Sequence, residues 1–504
     1  DYSIPDSMGI LMTFKYDNVG LMDFQRVDEL HDIGYNRTIS MMDSIKSRIH
    51  RRVNLDNIRL RRMVYRSNYP ELRFKNIIID GANTQQQAYI KKEFHKSDNK
   101  EFSYEDLKQG YFRLLSDNMI SEIIPHAIYN PEDDTYDLHL KVKLENNFAV
   151  RLGGNISTSN SNQIYLGLSY QDLNYYAKEF VFDGQLGKVY NNAQFMAKID
   201  FSTAIPTSYR FIASISTFDY FKKDKLFSRN DKPAFNQKDE RFLKLQVGLP
   251  FLSSKRAEFG IGIARIEDKY FQKSVIDFGN DKFDKSRYDL FGGSISFNGS
   301  TLNSRQYPTR GYREALIAQI FIGRERFYPG ESATGNNNKE HHSWLQLSYM
   351  KEKYHNMSEH WVLGWYLKAL YASKNFSENY TATMMQAGEF SPTQHSKLTY
   401  NEAFRANQFV GAGIRPIYRL NQMFHLRGEF YGFMPIYPIE RNSLNKAYYG
   451  KAFSKFEYLG EISVVCQLPF GDISAYVNHY SSPKREWNVG LSIGWQLFNY
   501  RFIE

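Results

Sequence analysis

The sequence has 504 residues, of which 16% are aromatic, with 37 Tyr and 38 Phe, although its mean hydropathy is only -0.55. It contains no run of about 18 apolar residues, which excludes a membrane-spanning helix, and its single cysteine, Cys466, excludes an intramolecular disulfide framework and a cysteine-based metal cluster. The net charge of +9 comes from Lys and Arg residues that form no basic stripe, so we expect it to meet anionic lipid headgroups and predict no nucleic-acid partner.

Residues 1–70 are predicted to form a short helical segment. The sequence begins at Asp1 with no signal-peptide pattern, so we expect any export signal to have been removed or to lie outside it. Asn18 to Phe24 lead into a predicted helix that ends near Gly34-Tyr35, and a basic helix then runs through Arg52. This order resembles the tail of a patatin-like phospholipase domain, where a short strand and an Asp-Phe pair precede a helix that ends in Gly-Tyr. The alternative is an amphipathic linker helix without catalytic ancestry.

Residues 72–146 are predicted to form a compact α+β domain with the order β-α-α-β-β. Ser103 and Asp106 give a variant of the capping box at the start of its second helix. Together with the sequence from Phe74 to Asn83, this order resembles a polypeptide-transport-associated (POTRA) domain, the periplasmic module that precedes BamA-type barrels. The predicted elements are a strand at Phe74–Ile79, helices at Thr84–Phe94 and Ser103–Leu115, and a hairpin of Ile120–Tyr129 and Tyr136–Leu144.

Residues 148–504 are predicted to form a membrane β-barrel of about 16 antiparallel strands, an even number as bacterial outer-membrane barrels require. Polar and apolar residues alternate in segments of about ten, the length that a tilted strand needs to cross a bilayer. In the clearest segment, odd-numbered residues from Trp487 to Leu497 are apolar, and only a strand puts them on one face. The predicted strands begin near Ala149, Gln163, Glu179, Ala193, Tyr209, Arg241, Ala257, Tyr288, Arg313, Ser343, Trp361, Gln408, Phe424, Phe456, Ile473 and Trp487.

Short and long connectors alternate between these strands, as in a barrel with short periplasmic turns and long outside loops. A soluble β-sandwich, which the composition alone leaves open, has no reason to keep this rhythm. We therefore expect the POTRA-like domain in the periplasm and the long loops outside. The short connectors are Pro250–Lys255, Tyr354–His360, Arg419–Gln422 and Pro469–Asp472, and the long ones are Asp219–Glu240, Glu267–Arg287, Arg324–His341, Ser373–Arg405 and Met434–Lys455.

Two motifs extend the resemblance into the barrel. Pro308, Thr309 and Gly311, before the ninth strand, resemble the Pro-Thr-x-Gly turn of the bacterial surface antigen (BamA-like) superfamily and are predicted to form a periplasmic turn. Gly494 to Phe498 resemble the aromatic closing strand of such barrels. The resemblance covers about 430 residues and implies the outer membrane of a Gram-negative bacterium.

The sequence offers no complete catalytic, cofactor or metal site. A patatin-type hydrolase needs Gly-x-Ser-x-Gly, which is absent, and Asp80-Gly81-Ala82 is interpreted as a turn that leaves a strand. Glu340, His341 and His342 are predicted to lie in a solvated loop, where adjacent histidines point apart and lack a third ligand. We therefore predict no catalytic residue, no cofactor and no metal in this chain.

Arg405 and Glu429 are predicted to lock the longest loop inside the barrel. In BamA-like barrels a loop at this position carries a Val-Arg-Gly-Phe/Tyr motif whose Arg folds inward onto an acidic residue. Here the sequence is Phe404-Arg405-Ala406-Asn407, which keeps the Arg and loses the Gly. Glu429 on the thirteenth strand faces inward by alternation and is the predicted partner. An ordinary solvated loop Arg is the alternative.

The leading functional hypothesis is the POTRA-barrel portion of a patatin-like phospholipase that anchors, and exports, the lipase domain. One alternative is a BamA-like assembly or secretion factor, and another is a passive porin, which would need no POTRA domain. The predicted partners are outer-membrane lipid and lipopolysaccharide, together with periplasmic or outer-membrane proteins bound through the POTRA domain. The sequence leaves a homodimer open.

Overall fold

The structure is a computed structural model. It describes residues 10–14, 16, 19, 27–49, 54–67, 72–94, 101–158, 162–201, 205–220, 236–252, 255–272, 282–331, 333, 336–421, 423–482 and 487–504. Within these residues, no helix has the length and apolar character that crossing a membrane requires. Packing divides the chain into two compact units, one of Asp1–Arg73 with Tyr129–Thr135 and one of Phe74–Ile128 with Tyr136–Glu504.

The described part of residues 1–70 contains three helices, and a helical segment is predicted there. Helix α1 spans Val27–Ser40, α2 spans Met42–Arg48 and α3 spans Leu55–Ser67, and none of the three has a buried residue. The predicted short strand at Asn18–Phe24 lies, apart from Val19, outside the described residues, as does the end of the predicted basic helix at Arg52.

The predicted α+β order is present at the start of the second unit. The sheet order is β2-β1-β4-β3, with β1 parallel to β4, and Ile90, Leu114 and Leu138 lie in its core. The capping box of Ser103 and Asp106 forms at the start of α5, because each side chain accepts from the other residue's backbone N–H. The elements are β1 (Arg73–Asp80), α4 (Thr84–Phe94), β2 (Phe102–Ser103), α5 (Tyr104–Leu115), β3 (Ile120–Asn130) and β4 (Thr135–Leu144).

The described residues after β4 supply twenty further strands, sixteen of which close into an antiparallel barrel, so the predicted fold class is confirmed. The barrel order follows the chain from β5 to β15 and then runs β18, β19, β22, β23 and β24 back to β5. The strands are β5 (Phe148–Ser157), β6 (Gln163–Leu173), β7 (Ala177–Gly187), β8 (Tyr190–Phe201), β9 (Thr207–Asp219), β10 (Asn236–Phe251), β11 (Lys255–Tyr270), β12 (Asp284–Ser300), β13 (Gly311–Tyr328), β14 (Asn338–Asn356), β15 (Trp361–Ala372), β16 (Gly388–Glu389), β17 (Arg405–Ala406), β18 (Gln408–Arg419), β19 (Phe424–Pro435), β20 (Ile439–Arg441), β21 (Ala447–Tyr449), β22 (Glu457–Leu468), β23 (Gly471–Tyr480) and β24 (Trp487–Gly494).

Alternation places apolar residues outside the barrel and polar residues inside, as predicted. On β19, Leu426 and Phe430 are exposed on the outer face, whereas Arg427 and Glu429 are buried within. A strand in a bilayer satisfies its backbone only by pairing with neighbours on both sides, which is why the sheet closes. The outer face is thus suited to lipid and the inner face to a polar lumen.

Three long connectors are shorter than predicted, because β10, β12 and β14 begin earlier, and β11 and β13 end later, than the sequence pattern indicates. Strands β10 to β14 have 16–19 residues, whereas β24 has 8. The residues that begin β10, β12 and β14 are polar on both faces, so hydrophobic alternation cannot identify them as strand. The predicted domain boundaries stay a prediction, since the α+β segment and the barrel lie in one packed unit.

Candidate functional site

The connector between β15 and β18 fills part of the barrel interior. It contains the short helix α6 (Tyr380–Gln386), the 3-10 turns His395–Leu398 and Glu402–Phe404, and the two-stranded ladder of β16 and β17. Phe390 and Phe404 are buried and pack against Phe433 on the barrel wall, with ring centroids 5.6 Å apart in both pairs. We call this connector, residues 373–407, the plug loop.

Arg405 is buried in the plug loop, but its predicted partner is wrong. Its guanidinium lies 3.0 Å from the Glu389 carboxylate, across the β16–β17 ladder, and also donates to the Ala387 carbonyl at 3.3 Å. A guanidinium at the end of α6 meets the partial negative charge of the last helical carbonyls. Glu389 was missed because a two-residue strand leaves no periodic signal in the sequence.

Glu429 faces inward as predicted and pairs with two arginines of the barrel wall. It accepts from Arg427, its neighbour on the same face of β19, and lies 3.5 Å from Arg415 on β18. Arg415 also pairs with Glu352 on β14 and donates to Tyr431 at 2.6 Å. These four charges are buried and alternate in sign, so each ion has the compensating partner that a low-dielectric interior requires.

The predicted turn with Pro308, Thr309 and Gly311 reaches from the barrel rim into the lumen. Asn303 holds it, because its side chain donates to Thr309 Oγ1 at 3.1 Å and accepts from the Thr309 amide at 3.0 Å. Gly311 has φ +94°, and a Cβ there would collide with the Thr301 carbonyl, so this position requires glycine. The turn lies at the end of the barrel where the α+β domain joins β5, as predicted for this motif, and its assignment to the periplasm stays a prediction.

The turn and the plug loop meet inside the barrel. Arg427 donates to the Pro308 carbonyl at 2.8 Å, and Gln394 of the plug loop donates to the Gln306 carbonyl at 2.8 Å. Arg415 donates to the Pro392 carbonyl of the plug loop at 3.3 Å. The alternating charges of the wall thus hold both the turn and the plug loop, and they connect segments that enter the lumen from opposite ends.

The segment after β24 turns into the lumen, so the predicted closing strand through Phe498 ends four residues early. Gly494 has φ +110°, and a Cβ there would collide with the Gly154 carbonyl. Phe502 is buried against Phe242 and Phe321 on the inner wall, with centroids 5.9 and 5.7 Å away. We call residues 495–504 the lumenal tail.

Among the residues that the structure describes, the seam between β5 and β24 is the shortest ladder in the barrel. It consists of three residue pairs, Asn155 with Gly494, Ile156 with Ile493 and Ser157 with Ser492. The two neighbouring ladders have eight pairs each, and the β13–β14 ladder has seventeen. Within the described residues, the edge of β5 from Phe148 to Gly153 pairs with β6 on one side and with no strand on the other.

His341 and His342 lie in strand β14, so their predicted placement in a loop is wrong. His342 is buried, and its Nε2 lies 2.9 Å from Glu325 on β13. Glu325, Glu340 and His342 offer ligand atoms within 4.8 Å of one another, so the third group, which the sequence pattern does not reveal, comes from the neighbouring strand. Glu325 already accepts from Tyr288 at 3.1 Å, which accounts for its burial without an ion. The absence of a metal stays a prediction.

Asp80 ends β1, and Gly81 begins the following turn, as predicted from the sequence. The carboxylate is therefore exposed at the end of β1, which lies between β2 and β4 in the α+β sheet, and its resemblance to a patatin motif is confined to the sequence. The absence of a catalytic residue and of a cofactor stays a prediction.

No protein-family model and no curated protein matches the sequence. Among solved structures, BamA from Haemophilus ducreyi lacking POTRA domains 1-3 aligns with a TM-score of 0.58 and 12% identity, over 84% of each chain. CdiB from Acinetobacter baumannii aligns with a TM-score of 0.48 and 9% identity, over 84% of this chain and 74% of that one. CdiB from Escherichia coli aligns with a TM-score of 0.46 and 11% identity, over 84% and 76%.

The first alignment shows that the chain has a BamA-like barrel fold, as predicted from the motifs. A closed sixteen-stranded barrel with an apolar outer face is the architecture of outer-membrane proteins of Gram-negative bacteria, so the predicted localisation is confirmed. The patatin-like part of the predicted resemblance has no counterpart among these structures.

Proposed function

We propose that the protein assembles or secretes other polypeptides at the outer membrane, and that it does so by opening the barrel between β5 and β24. The observation that carries the proposal is the seam of three residue pairs, since fewer backbone hydrogen bonds must break there than at any other ladder of the described barrel. An opened seam exposes unpaired N–H and C=O groups in the membrane, where a further strand satisfies them.

The unpaired edge of β5 supports this proposal. Its outward residues Phe148, Val150 and Leu152 are 53–75% exposed, as lipid-facing side chains are. A strand that pairs with this edge would therefore lie within the membrane-facing wall. Strand addition to such an edge obtains its affinity from main-chain hydrogen bonds and tolerates many sequences. We therefore infer that the client is a polypeptide in extended conformation.

The occupied lumen argues against the passive porin. The plug loop, the Pro308 turn and the lumenal tail all enter the barrel and hydrogen-bond to its wall. A diffusion pore needs an open aqueous path through its lumen. A protein that releases polypeptides laterally, between two strands of its wall, can function with an occupied lumen.

A seam disulfide tests the proposal. In a Cys466→Ser background, Ser157→Cys with Ser492→Cys joins β5 to β24, and Ala149→Cys with Ser169→Cys joins β5 to β6 as the matched control. The purified protein in liposomes should accelerate the folding of a urea-denatured eight-stranded barrel protein, followed by its heat-modifiable mobility on gels. Oxidation should abolish the acceleration only for the seam pair, and reductant should restore it.

A second candidate function is to anchor a patatin-like domain. It rests on the resemblance in residues 18–35 and on the apolar side chains that α1 and α3 expose, such as Val27, Leu60 and Met63, which a folded neighbour would cover. An anchor does not need the seam to open. A fused domain that is displayed equally well by the oxidised and the reduced seam variant would therefore favour the anchor function. The anchor function would also be favoured if the reduced forms of both disulfide variants did not accelerate folding in liposomes.

A further inference from the structure

The lumenal tail lies along the inner wall as an extended peptide that makes most of its hydrogen bonds through its backbone. After Gly494 it crosses the inner faces of strands from β6 to β14 and adopts no helix or strand of its own. Six buried amide or carboxyl side chains of the barrel strands hydrogen-bond to it. They are Gln163 on β6, Gln185 on β7, Asn192 on β8, Glu240 on β10, Gln319 on β13 and Gln346 on β14, and we call them the polar track.

Two glutamines of the track bind main-chain groups in pairs. Gln163 donates to the Leu497 carbonyl at 3.0 Å and accepts from the Leu497 amide at 3.1 Å. Gln319 donates to the Phe502 carbonyl at 3.1 Å and accepts from the Glu504 amide at 3.0 Å. A primary amide that engages both N–H and C=O imitates the edge of a neighbouring strand, and it does so whatever side chain the bound residue carries.

Other members of the track continue this pattern. Glu240 accepts from the Phe502 amide at 2.9 Å, and Gln346 donates to the Glu504 carbonyl at 2.6 Å. The remaining two, Gln185 and Asn192, contact the side chain of Asn499, at 3.1 Å in the case of Gln185. Four of the six therefore bind groups that every peptide possesses.

Two buried amide oxygens, one in the polar track and one beside it, lack a hydrogen-bond donor among the residues that the structure describes. They are Gln185 Oε1 and, on neighbouring β8, Gln194 Oε1. A buried polar atom without a partner costs about 1–3 kcal/mol. Groups of this kind can accept from the backbone of a peptide that follows the wall in a register different from that of the tail.

We propose that the polar track is a binding site for extended polypeptide, which the lumenal tail occupies as a ligand in cis. The proposal deepens the proposed function, on which it rests, by identifying where a client segment binds before it reaches the seam. A client displaces the tail because both use the same main-chain hydrogen bonds. The occupied track keeps the lumen closed in the absence of a client.

Side-chain contacts at the far end of the track indicate which client segments bind best. Phe502 enters a cluster with Phe242 and Phe321, and Lys244 lies 3.6 Å from the Glu504 carboxylate. An aromatic ring in this cluster adds apolar burial, and a carboxylate two residues later meets a buried cation. The preferred ligand is an extended segment with an aromatic residue two positions before an acidic one.

Displacement of the tail by a peptide in trans tests the proposal. The full chain carries Cys466→Ser and a spin label at Tyr500→Cys, an exposed position that makes no contact with the track. The probe is a synthetic peptide with the sequence of residues 495–504, acetylated and amidated at its ends. When this peptide is added to the protein in detergent micelles, the electron paramagnetic resonance spectrum of the label should change from immobile to mobile. The change should saturate as the peptide concentration rises.

Methylation of selected backbone amides separates main-chain recognition from apolar displacement. A peptide N-methylated at the positions of Phe502 and Glu504 loses the donors to Glu240 and Gln319 and should require at least about tenfold more peptide for the same release. A peptide N-methylated at the position of Ile503, whose amide is not part of these hydrogen bonds, is the matched control and should act like the unmodified peptide.

Variants of the wall give a second measurement that needs no peptide. Gln319→Ala should mobilise the label, whereas Gln246→Ala, at an inward glutamine of β10 that bonds to Arg210, should leave it immobile. A label that stays immobile at millimolar peptide, or equal potency of the two methylated peptides, overturns the proposal. Neither result depends on seam opening. Failure of the proposed function would appear in the seam disulfide assay, whereas failure of the polar-track proposal would appear only in the peptide-binding measurements.

Discussion

The guanidinium of Arg405 lies 3.0 Å from the carboxylate of Glu389, and both side chains are largely buried within the plug loop. Glu389→Ala leaves the buried guanidinium of Arg405 without its carboxylate partner, and breaking a buried pair in this way costs about 3–5 kcal/mol. Arg405→Ala removes the nearer of two cations beside Glu389, since Arg501 lies 3.8 Å from the same carboxylate, and should cost less. Arg405→Ala and Glu389→Ala should each loosen the plug loop, lower the unfolding temperature of the barrel on gels and raise its single-channel conductance in planar bilayers.

The double variant distinguishes this pair from the predicted pair of Arg405 with Glu429. Arg405→Ala with Glu389→Ala should add little to either single change, because the interaction can be lost only once. Arg405→Ala with Glu429→Ala should be close to additive. Additive effects for Arg405 with Glu389, together with non-additive effects for Arg405 with Glu429, would show that the Arg405 guanidinium pairs with Glu429 on β19 in the membrane.

Glu429 should be among the most sensitive positions of the barrel wall. Glu429→Gln removes the charge that separates Arg427 from Arg415, so two buried guanidinium groups would face each other with only Glu352 to compensate them. We expect a loss of several kcal/mol, about the cost of breaking a buried pair. Glu440→Gln, in an exposed pair with Lys455 3.1 Å away, is the control and should cost at most about 1 kcal/mol. Equal unfolding temperatures for the two variants would contradict the assigned role.

The sequence was sufficient to predict the barrel because one physical rule governs every strand. Alternation between lipid and lumen places Arg427 and Glu429 inside and Phe430 outside, and the same rule locates all sixteen strands. Strand ends such as that of β14 were not predictable in this way, because polar residues on both faces carry no alternation.

The site was less predictable because its contacts depend on chain segments that lack periodicity. Arg405 meets Glu389 through a two-residue ladder, and Trp495 and Leu497 continue the apolar alternation of β24 although they lie beyond its end. An apolar residue suits both lipid and the aromatic cluster around Phe502. The sequence pattern therefore cannot distinguish a strand that continues from a tail that turns inward at Gly494.

Labelling of single cysteines in intact cells should establish the orientation of the barrel. Asn336 lies in the connector between β13 and β14, and Asn130 ends β3 of the α+β domain. In a Cys466→Ser background, a membrane-impermeant maleimide should label Asn336→Cys and leave Asn130→Cys unlabelled until the outer membrane is broken. Labelling of Asn130→Cys alone would reverse the orientation.

The chain should not hydrolyse esters. It lacks the Gly-x-Ser-x-Gly sequence that activates a serine nucleophile, and Asp80 ends a strand of the α+β sheet. Purified protein with native heat-modifiable mobility should release no fatty acid from phospholipid and no chromophore from a nitrophenyl ester. Robust turnover that survives these folding controls would refute the prediction.

The α+β domain should lose stability as the pH rises through the titration of Asp117. Burial raises the pKa of this carboxyl, although the Met119 amide at 3.0 Å and the Tyr89 hydroxyl at 2.9 Å favour its charged form. The folded state therefore holds a proton at pH values where the unfolded state, with a pKa of about 3.9, has lost it. Folding stability is highest below the unfolded value, falls as the pH rises to the folded value and stays constant above it. Amide exchange in residues 117–120, corrected for intrinsic rates, should accelerate across this window in the native protein and change little in Asp117→Asn, with Asp80→Asn as the control that keeps the native profile.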